Sequence, residues 1–143
     1  MIKIILLAWT SMAMIGQSTS QPDVFEIQDR AMLQAKQGKY IQALQTIEKA
    51  IEIDPKIAEF YVTQSHVFDK LRRYPEAMTS IKKALRLEPT HRAALVNKMI
   101  FASRMNDASE YVKSYQVFIK HHKLKPDESI YKEVYNGIIK KGE

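Results

Sequence analysis

The chain has 143 residues, with 22 Lys and Arg against 16 Asp and Glu, a formal net charge of +6 and no cysteine. The missing thiol excludes disulfides, zinc–thiolate sites, thiol catalysis and attachment through a lipidated cysteine. The length suits one modest domain that depends on its own core, and the basic balance raises the question of an anionic partner.

Residues 1–20 differ in kind from the rest. Lys3 precedes an apolar run from Ile4 to Ile15 broken only by Thr10 and Ser11, and Gly16 to Ser20 follow as a small-residue exit. Those three parts resemble a secretory signal peptide. A spanning helix needs about twenty apolar residues, so removal between Gly16 and Gln21 is the expectation and an uncleaved anchor the alternative. An exported chain would be periplasmic or secreted.

After Pro22, Asp23 and Glu26 have the spacing of a capping box, and Ile27 and Ala31 begin a helical apolar face. Gly38 suits the turn that follows, since a helix often ends on a residue at positive φ. Tyr40, Ala43, Ile47, Ala50 and Pro55 come next, and Tyr74, Ala77, Ile81, Ala84 and Pro89 answer them thirty-four residues later. The alanines and isoleucines share one helix face, small enough for helices to approach, and each proline punctuates the end of a unit. Arg72 stands in the second copy where Gly38 stands in the first, and Pro75 falls in the first turn of its helix.

This pattern resembles the second half of a tetratricopeptide repeat. The resemblance implies an all-α fold, a right-handed superhelical α-solenoid of about three helix-turn-helix repeats plus a C-terminal capping helix. The domain would occupy residues 21–143, with repeats near 24–57, 58–91 and 92–126 and the cap at 127–141. A period of this size means one unit copied along the chain, each copy burying a face it cannot bury alone.

The third copy is worn. Tyr111, Ser114, Phe118, His121 and Pro126 fill the five positions if three extra residues enter the turn between Ser103 and Ser109, where Asp107 and Glu110 form a second capping box. The first helices carry faces of their own: Tyr61, Ser65 and Phe68, then Leu95, Met99 and Ala102. The family places leucine where this chain has Arg30, Gln64 and Lys98, whose stems are expected over the core with their heads in solvent. Ile130, Val134 and Ile138 give the closing helix its apolar stripe.

Catalysis has little support. His121 and His122 are adjacent, so on a helix they point about 100° apart and cannot share a metal. His66 with Asp69 is a weak pair, and no nucleophile, metal constellation or phosphate loop accompanies it. No catalytic residue, metal or cofactor is expected. Arg72, Arg73, Lys82, Lys83 and Arg86 form one basic surface and Lys120 to Lys125 another, but acidic residues interrupt them without base-stacking aromatics, so nucleic acid is not expected. Weak contact with a membrane surface or acidic protein fits better.

The resemblance also implies binding. Relatives hold a peptide against the first helices, and the matching face here contains Phe25, Gln28, Asp29 and Met32, then Glu59, Val62, Thr63 and His66, then Ala93, Val96, Asn97 and Ile100. Phe25, Met32, Val62, His66, Val96, Asn97 and Ile100 are the candidate groove residues, suited to an extended segment or helix from a protein partner. Some relatives clamp a terminal carboxylate with lysine, asparagine and arginine. Those positions hold Gln28, Met32, Thr63, Ala93 and Asn97, so recognition of chaperone tails is not expected. The expected function is an exported, non-enzymatic interaction scaffold. The alternative is an anchored component of an envelope complex that uses its basic convex face.

Overall fold

A computed structural model of the chain describes residues 23–122. The proposed leader and capping helix lie outside them. The described residues form six helices and no strand: α1 (Val24–Lys36), α2 (Tyr40–Ile53), α3 (Ala58–Lys70), α4 (Tyr74–Leu87), α5 (Arg92–Arg104) and α6 (Ala108–His122). They pair as α1 with α2, α3 with α4 and α5 with α6, and each pair stacks on the next. The result is an all-α solenoid of helix-turn-helix units.

The starts of α1, α4 and α6 have a local cause in the residues that open them. The Asp23 carboxylate accepts from the amide of Phe25 at 3.0 Å, and the Asp107 carboxylate accepts from that of Glu110 at 2.9 Å. Both satisfy donors that the first turn leaves open. Pro75 sits at the start of α4, where a missing amide costs nothing. Pro55 and Pro89 follow the last residues of α2 and α4.

The turns between paired helices share one geometry. Gly38, Arg72 and Asn106 have φ of 76°, 58° and 56°. Each closes two bonds onto the preceding helix: Gly38 and Lys39 donate to the carbonyls of Ala35 and Gln34, Arg72 and Arg73 to Asp69 and Phe68, and Asn106 and Asp107 to Ser103 and Ala102. Two such bonds around a left-handed residue satisfy orphan carbonyls at a helix end.

That recurrence overturns the three-residue insertion. The left-handed residue returns every thirty-four positions through all three units, and α2, α4 and α6 begin at Tyr40, Tyr74 and Ala108 on the same interval. Tyr111 therefore takes the place of Ala43 and Ala77, while Ala108 takes that of Tyr40 and Tyr74. The exchange of large for small is reciprocal, and Tyr111 is buried. His121 does not occupy a packed alanine position and is exposed.

The core runs continuously through the stack. Ala43, Ile47, Ala50, Ala77, Ile81 and Ala84 are fully buried, as are Ala31, Phe60, Val67 and Ala102 from the first helices. Gln64 and Lys98 differ from expectation, because their heads are not left to solvent. Gln64 accepts from the Ser80 hydroxyl at 2.7 Å, tying α3 to α4, and Lys98 pairs with Glu110, tying α5 to α6.

Candidate functional site

The first helices of successive units approach one another, α1 against α3 and α3 against α5, so together they form one inner face. Its floor and its rim are different residues. Gln28, Val62 and Thr63 are buried, with Val62 only 7% exposed. The Gln28 side-chain amide donates to the Thr63 hydroxyl at 2.8 Å. These three are not open groove surface: α1 and α3 come close enough to cover them.

Above that floor two repeat positions stay exposed in all three units, Phe25, Glu59 and Ala93 at one and Met32, His66 and Ile100 at the other. Only the second carries a ring or a large apolar side chain in every unit. Met32, His66 and Ile100 lie thirty-four residues apart, and all are open to solvent. Phe25 stands beside them, 51% exposed, with its ring edge against Phe60 at 5.7 Å between centroids. Val96 and Asn97 are half-buried and line a shallow, open pocket of about 560 Å³ with Glu88, His91, Arg92 and Ala93. Val62 is the one candidate that the packing removes from the accessible surface.

His91, Arg92 and Glu88 were not among the sequence candidates. His91 precedes α5 as its cap: Nδ1 accepts from the Ala94 amide at 3.3 Å, and Nε2 meets the Glu59 carboxylate at 3.0 Å. Accepting at Nδ1 leaves the donor at Nε2, so Glu59 of α3 orients the ring that starts α5. The signal available in the sequence was a polar residue two positions after Pro89, where a cap belongs.

His66 and Asp69 do not work together. Asp69 pairs with Arg104 of α5, whose guanidinium also lies 5.3 Å from the centre of the Tyr74 ring. Partial burial holds the His66 imidazole below its usual pKa, and Lys70 adds repulsion. Such a ring favours its neutral form near neutral pH. Among the described residues no group of three metal-ligating side chains occurs.

On the outer face, Arg73 is tied to Glu76 at 2.9 Å and stacks over Phe68, and Lys83 lies over the Tyr61 ring. Lys82 and Arg86 are exposed. No helix among the described residues is long and apolar enough to cross a membrane.

Residues 28–57 and 58–91 each match the tetratricopeptide repeat model. These two units are tetratricopeptide repeats. The stacked tetratricopeptide fold extends beyond them. The first such domain of Spaghetti (RPAP3), bound to an HSP90 peptide, superposes with a TM-score of 0.70 at 17% identity over 82% of this chain and 93% of that one. The TPR2B domain of yeast Sti1, in a complex with pHsp70, gives 0.71 at 15% over 82% and 97%. The Yersinia enterocolitica translocator chaperone SycD gives 0.70 at 14% over 84% and 94%. These likenesses establish the fold alone. In sequence, the chain is 28% identical over 86 residues to the Hsp70-Hsp90 organizing protein of Triticum aestivum, covering 60% of this chain and 15% of that protein.

Proposed function

We propose that this tetratricopeptide chain is an exported, non-enzymatic scaffold that holds an apolar peptide segment against its inner face. One observation carries the reading: Met32, His66 and Ile100 repeat at a single exposed position above a buried floor. A row of large side chains left in water at the same place in each unit is a surface the core does not need. Phe25 extends the apolar row, and Asn97 supplies polar contact beside the pocket.

The chemistry of the partner follows from the same residues. Peptide-bound neighbours include a complex with HSP90 peptide SRMEEVD, an acidic tail. Here the clamp positions carry no cation, and two of them, Gln28 and Thr63, are occupied by their mutual hydrogen bond. An apolar segment therefore fits better than a terminal carboxylate. Export rests on the leader-like composition of residues 1–20.

The test is a displayed-peptide selection followed by calorimetry. Selected peptides should be rich in large apolar residues, and Met32→Glu with Ile100→Glu should weaken them by about tenfold or more with unchanged melting, since charges there lose water on binding. Selection of acidic C-terminal tails, or full affinity in the double variant, would overturn the reading. Intact mass of the protein from its native compartment tests removal of the leader.

A further inference from the structure

The outer faces of α2 and α4 carry the same stripe with opposite charge. On α2 it consists of Ile41, Gln45, Glu48 and Glu52, and the residues thirty-four positions later on α4 are Pro75, Thr79, Lys82 and Arg86. All eight are exposed. The spacing of four, three and four aligns each set along one side of its helix.

Neither stripe is explained by the fold of the single chain. Glu48 and Glu52 are like charges four residues apart, as are Lys82 and Arg86, and such pairs destabilise the helix that carries them. None of the four makes an ion pair among the described residues. Lys49 and Lys83 flank the two stripes, and Lys83 is engaged by the Tyr61 ring.

We propose that this outer face docks on a second copy of the same chain, with the acidic stripe of α2 against the basic stripe of α4 in both directions. Because α2 and α4 hold the same place in successive units, a two-fold axis along the helices lays each over its opposite in the other copy. Glu48 then meets Lys82 and Glu52 meets Arg86, twice over, and Ile41 lies against Pro75. The interface is self-complementary and closed, so association stops at the dimer. Any other two-fold across this face sets like charges together. An anionic membrane would satisfy α4 but would repel the adjacent α2.

Sedimentation equilibrium on the purified chain tests this. The mass should rise with concentration from monomer towards dimer at about 0.02 M salt and return to monomer at about 0.5 M, because exposed pairs are screened. Glu48→Lys with Glu52→Lys should be monomeric at both, as should Lys82→Glu with Arg86→Glu. Mixing those two double variants should restore the dimer mass, and so should the chain with all four reversed. Circular dichroism melting checks that each variant is folded. A wild type that stays monomeric at low salt, a mass that climbs past the dimer, or a mixture that fails to re-associate would overturn the proposal. Association on anionic vesicles by a chain that remains monomeric would overturn it too.

Discussion

The Gln28 amide and the Thr63 hydroxyl meet at 2.8 Å between α1 and α3, both side chains buried. This bond is the polar link between the first helices of the first two units, and it replaces surface that would otherwise face a ligand. Thr63→Val keeps the shape but strands the Gln28 amide, so it should cost about 1–3 kcal/mol. Gln28→Met together with Thr63→Val should recover most of that loss, because neither partner is then left wanting. Urea denaturation of Thr63→Val, Gln28→Met and the double variant gives the coupling; additive losses would show that the pair does not interact.

The three left-handed turn residues should respond in graded fashion. Arg72→Gly should stabilise by up to about 1 kcal/mol and Asn106→Gly by less, since asparagine tolerates this region better than arginine. Gly38→Ala should lose about 1 kcal/mol through the backbone alone, because nothing lies within 4 Å of the added methyl. Thermal melts check all three, and a loss in Arg72→Gly would mean that its side chain holds the turn.

Ala77 and Ala84 are fully buried on the face of α4 where helices touch. Ala77→Trp or Ala84→Trp should destabilise by about 1–3 kcal/mol or more through overpacking. Unchanged melting in either would place that alanine outside the contact.

Depression of the His66 pKa gives stability a pH dependence of known sign. The unfolded ring binds a proton more readily than the folded one, so this contribution is complete above the ordinary imidazole value of 6.5 and is lost as pH falls through the lower folded value. His66→Asn should flatten the fall in stability below that pH. Denaturation midpoints between neutral and mildly acidic pH measure it, and an unaltered slope would assign the dependence to another group.

The inner face yields a contrast between Val62 on α3 and Ile100 on α5. Val62→Glu should unfold the chain, because it puts an unpaired charge into a site only 7% exposed, whereas Ile100→Glu at 41% exposure should leave melting within about 0.5 kcal/mol. Circular dichroism separates the two outcomes. A folded Val62→Glu would show that α1 and α3 are further apart than their packing indicates.

The repeat was legible in the chain itself because its period is carried by residue types with steric meaning. Alanine permits helix approach, proline ends a unit, and Gly38 and Arg72 mark one turn in two copies, so the helical units and the positive φ of Arg72 followed from local chemistry. The third unit misled through its side chains. Matching Tyr111 to Tyr40 demanded an insertion, whereas Asn106 already repeated the turn without one. A backbone that must turn left-handed outweighs a similarity between tyrosines, because neighbours can exchange bulk, as Ala108 and Tyr111 do, and the turn cannot move. Other features depended on distances between helices remote in sequence. Gln28 and Thr63 read as groove residues and became a buried bond, Gln64 and Lys98 read as solvated heads and became ties to α4 and α6, and Glu59 came to orient His91. Periodicity assigns a residue to one side of a helix, but only the approach of the next helix decides whether that side faces water or protein.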